Sequence, residues 1–124
     1  MRNGQMRNGQ MKKILFICSA NIQRSKTAED YFAEQYPHNE YLSAGTNIKM
    51  CQREGTIPLD EDLLIWADLV LVMENRHLQA AKKMGKGNYG QKIKVLNIPD
   101  RYKYYQPELL DLLEEKVGPY LIAP

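Results

Sequence analysis

Two side chains near the start of the chain are spaced so that they could share one anion. Cys18 closes the apolar run Ile14-Leu15-Phe16-Ile17, and Arg24 follows after the five residues SANIQ, with Ser25 next. A thiol attacks as its thiolate, a form favoured beside cations or a helix N-terminus. A guanidinium offers a planar fork that matches two oxygens of a tetrahedral oxyanion. A polar loop between a strand and a helix can turn successive N–H groups inward as an anion nest. Together these features describe a nucleophile seated under a phosphoryl group, with a cysteinyl-phosphate as intermediate. A cysteine at the end of a buried strand is also commonly an inert small hydrophobe. The loop alone leaves both roles open.

Such a loop works only if the elements around it hold it in place. KKILFIC (12–18) is a nearly continuous apolar run, the pattern of a strand buried on both faces. Ala28, Tyr31, Phe32 and Tyr36 recur at helical spacing after the loop, and Pro37 stops that helix. EYLSAGT (40–46) reads as a second, weaker strand. Residues 47–58 have no clear period and read as loop. DEDLLIWA (60–67) is a short helix with Asp60 as N-cap. DLVLVME (68–74) is the clearest buried strand, NRHLQAAKKMG (75–85) a helix closed by Gly85, and KIKVLNI (92–98) a fourth strand. PELLDLLEEKVGPYLI (107–122) opens on Pro107, a favoured first helical position, and carries leucines on one face. Strands alternating with helices imply a parallel sheet covered on both sides.

Composition removes several classes of function. The first ten residues are MRNGQ written twice, which has no apolar face and is expected to be a disordered leader or start-site artefact, leaving residues 11–124 as one domain. Without Arg2 and Arg7, the 17 Lys and Arg residues become 15, equal to the 15 Asp and Glu residues. No basic stripe remains to attract nucleic acid. No apolar run approaches the roughly 18 residues of a membrane span, and no signal peptide is visible. Two well-separated cysteines make no disulfide framework, so a reducing cytoplasm is the expected setting. Neither the cysteines nor the histidines have metal-ligand spacing, and no metal or cofactor is expected.

The loop residues Cys18-Ser19-Ala20-Asn21-Ile22-Gln23-Arg24-Ser25 resemble the active-site loop of the low-molecular-weight protein tyrosine phosphatases. SAGT (43–46) is similar to that family's second-strand motif, and ADLVLVMENRH (67–77) to its third strand and following helix. IPDRYKYY (98–105) sits where the family carries its acid loop. The likeness runs in order through most of 12–122 and is nearest to the short bacterial branch. It implies a single open four-stranded parallel sheet, flavodoxin-like, with strand order 2-1-3-4 and helices on both faces. It implies that Cys18 is the nucleophile, Arg24 the phosphate clamp and Asp100 the general acid. Ser19, Ala20, Asn21, Ile22, Gln23 and Ser25 would cradle the phosphoryl group in a network with Ser43, and Tyr102 would wall the substrate ring. The substrate would be a phosphotyrosine protein or a small aryl phosphate, with inorganic phosphate or sulfate able to occupy the loop. The chain departs from the family at Gln23 (usually a second cysteine), Ala20 (usually glycine), Lys26 and Arg101 (both often proline).

Other residues have plainer readings. Asp100 after Pro99 is ordinary turn chemistry as well as a candidate acid. His77 reads as a helix-surface histidine, with a place in the pocket network as its alternative, His38 as solvent-facing, and Cys51 as a free thiol in the irregular segment. Tyr102, Tyr104 and Tyr105 have, beside a role against an aryl phosphate, the plainer one of packing the last helix onto the sheet. Two alternatives to a phosphatase stay open. An arsenate reductase on the same scaffold would need thiols in relay; only Cys51 is available, far from Cys18 in sequence, so glutathione or mycothiol would have to substitute. A non-catalytic phosphate-binding module would keep the loop but have little use for Asp100.

Overall fold

Alternation along the first strand explains its unbroken apolar run. In the computed structural model, which describes residues 11–122, β1 (Lys13–Cys18) lies between β2 (Glu40–Gly45) and β3 (Leu69–Val72), and β4 (Ile93–Val95) flanks β3. All pairings are parallel, in the order β2-β1-β3-β4, so Ile17 stands opposite both Ala44 and Val72. Ile14, Phe16 and Cys18 face one layer, where Phe32 of α1 (Arg24–Gln35) and Leu109, Leu113 and Val117 of α5 (Pro107–Ile122) pack. Leu15 and Ile17 face the other, against Leu64 of α3 (Glu61–Trp66) and Ala81 of α4 (Asn75–Met84). Each fully buried aliphatic side chain here contributes roughly 1.5–3 kcal/mol. The repeated MRNGQ leader lies outside the described residues. Among the described residues no helix is long and apolar enough to cross a membrane.

Two expectations need correction. Residues 47–58 are not simply loop, because Ile48–Glu54 form α2. The Asn47 side chain caps it by accepting from Met50 N at 3.1 Å, and Gly55 ends it in the left-handed region at φ 73°. With seven residues and only Cys51 buried, α2 is too short to display a period. The fourth strand is shorter than 92–98. Its ladder ends at Val95, yet Leu96 and Ile98 still donate to Val72 O and Met73 O and sit in the core.

Candidate active site

The order β2-β1-β3-β4 places a switch point at the end of β1, since the chain leaves to one flank for β2 and later to the other for β3. Ligands of open parallel sheets bind beyond the strands' carboxyl ends at such a point. Cys18 is the last residue of β1, and the loop 19–23 delivers the chain to Arg24, the first residue of α1.

Three successive carbonyls of this loop are tied off on one side. Thr46 N donates to Cys18 O and Asn47 N to Ser19 O, both at 2.9 Å, while Thr56 Oγ1 donates to Ala20 O at 2.6 Å. The fully buried Cys51 thiol lies on the same side, 3.6 Å from Ala20 O. Across a planar trans peptide the N–H points away from the C=O, so the N–H groups of Ser19, Ala20 and Asn21 turn to the opposite side. Among the described residues, the N–H groups of Ala20 to Gln23 have no carbonyl partner. Asn21 supplies the bend, at φ 57°, a region asparagine tolerates better than most residues. Ala20 is not at positive φ, so the residue that replaces the family's glycine is free of that strain. Gly45 permits the close approach of β2, because a Cβ there would lie 2.5 Å from Ser19 O and 2.6 Å from Cys51 Sγ.

Behind the loop a buried chain of polar groups reaches the thiol. Asn21 Nδ2 donates to Ser43 O at 3.4 Å, which leaves Asn21 Oδ1 to accept from Ser25 Oγ at 2.8 Å. Ser25 Oγ is also 3.0 Å from Cys18 Sγ. Its one proton serves Asn21 while Cys18 is a thiol, and a thiolate at that distance competes for it. The Ser43 hydroxyl itself points elsewhere, donating to Glu29.

Arg24 is 2% exposed, and its burial is compensated. Nη1 donates to the Glu74 carboxylate and, at 2.8 Å, to Ile98 O; Nε is 3.7 Å from Asp100 Oδ1. The donors left for an oxyanion are those of Nε and Nη2, one bidentate edge of the fork. Glu74 also receives two bonds from Arg76, at 3.2 and 3.3 Å. Burial pushes the Glu74 carboxyl upward, but hydrogen bonds and charge from Arg76 and Arg24 outweigh it and hold the pKa below its usual value. The Arg76 pKa is raised in turn, first by Glu74 and then, against some desolvation, by the charges of Asp100 and Cys18.

A cavity of about 720 Å³ opens beside the loop, with Thr46, Asn47 and the first residues of α2 on its far wall. Of the residues singled out in the sequence, Cys18, Ser19, Ala20, Ile22, Gln23, Arg24 and Asp100 line it. Asn21, Ser25 and Ser43 stand behind in the buried network. Tyr102 is not on the cavity wall. It is 9% exposed in the layer with Leu109 and Leu113, and the Arg101 guanidinium covers its ring at 5.6 Å. The leucine face of α5 needs apolar cover, and Tyr102 supplies it. No aromatic side chain lines the cavity among the described residues.

His77 is not a surface residue either. It is 1% exposed, with Nε2 3.0 Å from Ser19 Oγ and Nδ1 accepting from Glu74 N at 3.0 Å. Burial, with the Arg24 and Arg76 guanidiniums adding, pulls its pKa down to about 4. Sequence reading missed Glu74, Arg76 and His77 as a group. Their signal was present in MENRH, a charged cluster at the carboxyl end of a central strand. Among the described residues no group of three or more His, Cys, Asp or Glu side chains is gathered to hold a metal ion.

Comparison with known proteins agrees with this fold. The family model for low molecular weight phosphotyrosine protein phosphatase matches residues 13–62. The low molecular weight protein-tyrosine-phosphatase Ptp of Acinetobacter johnsonii is 30% identical, over 78% of this chain and 84% of that protein. Among solved structures, Vibrio vulnificus Wzb in complex with benzylphosphonate superposes with a TM-score of 0.74 at 22% identity, covering 90% of this chain and 97% of that one. The tyrosine phosphatase Wzb from Escherichia coli K30 in complex with phosphate gives 0.72 at 24% identity, with the same coverage. At such identities the two structures speak for the fold.

Proposed function

This chain belongs to the low molecular weight protein-tyrosine-phosphatase family of cysteine-based enzymes, and we propose that it hydrolyses phosphotyrosine through a phosphoryl group carried on Cys18. The Cys18 thiolate attacks phosphorus while the bond from phosphorus to the tyrosine oxygen breaks. Asp100, as the carboxylic acid, gives its proton to the departing oxygen. Water then attacks the cysteinyl-phosphate, Asp100 takes up its proton, and phosphate leaves with the thiolate restored. The loop N–H groups and the Nε–Nη2 edge of Arg24 bind the equatorial oxygens on which charge builds. Ser25 steadies the sulfur both as it attacks and as it leaves.

The observation that carries this reading is the tying-off of the Cys18, Ser19 and Ala20 carbonyls on one side. It leaves the loop N–H groups free for an anion, in a loop that lines one cavity with Cys18, Arg24 and Asp100. A second thiol is missing from that cavity. Cys51, the chain's other cysteine, is buried against the loop's carbonyls, which favours a phosphatase over an arsenate reductase with an internal thiol relay. The half-exposed Asp100 beside Arg24 favours turnover over mere binding. We place the reaction in the cytoplasm, where two unpaired thiols stay reduced.

The test is hydrolysis of an aryl phosphate by wild type and by Cys18→Ser, with phosphate binding followed in both. The variant should lose turnover and keep binding, because a hydroxyl is a weak nucleophile at neutral pH while the nest is intact. Equal rates in the two proteins would end the assignment. So would arsenate-dependent consumption of added thiol in place of phosphate release.

A further inference from the structure

His77 is held between partners on its two ring nitrogens, and one partner fixes the direction of the other bond. The backbone N–H of Glu74 can only donate, and it reaches Nδ1 at 3.0 Å. Nδ1 therefore presents a lone pair and carries no proton. An imidazolium, protonated on both nitrogens, could not accept that bond. Burial and the neighbouring guanidiniums of Arg24 and Arg76, against the weaker opposite pull of Glu74 and Asp100, keep the ring neutral at physiological pH. The single ring proton then sits on Nε2, 3.0 Å from Ser19 Oγ. Nε2–H donates and the Ser19 oxygen accepts.

A hydroxyl has one proton to give. With a lone pair of Ser19 occupied by His77, its O–H must turn to another acceptor. Ser19 lines the same cavity as Cys18, Arg24 and Asp100. A free serine hydroxyl would present either its proton or a lone pair to an anion there. A lone pair opposes an oxyanion, so orientation matters as much as presence.

We infer that His77 is a positioning residue that commits the Ser19 hydroxyl to donate to the oxyanion bound over Cys18. The inference rests on the proposed placement of that oxyanion at the loop. It gives the start of α4 a part in the site: the turn after β3 holds Arg24 through Glu74, and the loop hydroxyl through His77. The pairing survives acidification well below neutrality because the ring resists protonation until about pH 4.

The test uses the full chain and inorganic phosphate as probe. Dissociation constants are measured calorimetrically for wild type, Ser19→Ala, His77→Phe, His77→Gln and the Ser19→Ala/His77→Phe double variant. Loss of one hydrogen bond to a charged group should weaken phosphate binding roughly ten-fold or more in Ser19→Ala. His77→Phe should weaken it comparably, and the double variant should be no worse than the weaker-binding single. His77→Gln keeps a donor near the Nε2 position and should recover most of the affinity. The long-range proton–nitrogen spectrum of the wild-type imidazole should show the Nε2–H tautomer. Wild-type affinity in Ser19→Ala, additive losses in the double variant, or an Nδ1–H tautomer would each overturn the inference. If His77→Phe does not fold, Ser19→Ala and the tautomer spectrum decide alone. In the same samples, phosphate should protect Cys18 from alkylation by iodoacetamide. Failure of that protection in wild type refutes the oxyanion's placement, an outcome distinct from protection that persists while Ser19→Ala binds normally.

Discussion

Lowering the pH from 7 to 5 should cost the fold about 2 kcal/mol through one side chain, His77. The ring is almost fully buried and hydrogen-bonded on both nitrogens, and burial beside Arg24 and Arg76 lowers its pKa from 6.5 to about 4. The unfolded chain takes up a proton at the ordinary value, whereas the folded chain must wait. Stability from this group is therefore complete above pH 6.5 and drains away as pH falls toward 4. A one-unit difference in pKa is worth about 1.4 kcal/mol, so the loss approaches about 3 kcal/mol by pH 4. Glu74 follows in a lower window. Its folded pKa is depressed, so its contribution is present above the unfolded value near 4.5 and lost as pH falls through the folded one. Urea unfolding at constant ionic strength, repeated at intervals between these pH values, reads both windows. His77→Gln should be less stable at neutral pH but should have a flatter profile down to about pH 5, because its side chain binds no proton. His38, exposed and unchanged, is present in both proteins. A wild-type profile that is level over this range, or a variant with the same slope, would refute the reasoning.

Two further outcomes concern the acid and the loop. Asp100→Asn should slow phosphoenzyme formation from phosphotyrosine about 10²–10⁴-fold and from nitrophenyl phosphate far less, since only the poorer leaving group needs a proton. Single-turnover measurements check this, and a penalty independent of the leaving group would rule out proton donation. Gly45→Ala should destabilise the protein and weaken phosphate binding together. Its Cβ would meet Ser19 O at 2.5 Å, a backbone atom of the loop, and the buried Cys51 Sγ at 2.6 Å. A variant with unchanged thermal midpoint and unchanged phosphate affinity would show that the close packing of β2 on the loop is not required.

How much of this was legible in the sequence differs by element. β1 and β3 are buried on both faces, so Ile14 to Ile17 and Leu69 to Val72 read as strands without ambiguity. The strand order came from family likeness, since no periodicity specifies which strands neighbour. α2 was missed although Asn47 and Gly55 bracket it, because a seven-residue helix with one buried side chain shows no repeating face. Cys18, Arg24 and Asp100 could be singled out because their chemistry and order in the chain are distinctive, and the structure brings all three to one cavity. For Tyr102 the packing role holds and the substrate wall does not, because position in a motif does not say which way a ring turns. Here Leu109 and Leu113 draw it into the core. His77 was weighted toward the surface over the pocket network for a related reason. A helix is shown its buried face by what packs on it, and what packs on His77 is a loop more than fifty residues earlier in the chain.

The central claim is that a covalent bond forms between phosphorus and Cys18. Rapid acid quenching of the protein during turnover of an aryl phosphate, followed by peptide mass mapping, measures it directly. The account predicts one added phosphoryl group on the peptide holding Cys18, absent from Cys18→Ser and, with nitrophenyl phosphate as substrate, enriched when Asp100→Asn slows the water attack that follows. Phosphate release with no phosphoryl group on Cys18, or with one on another side chain, would contradict it.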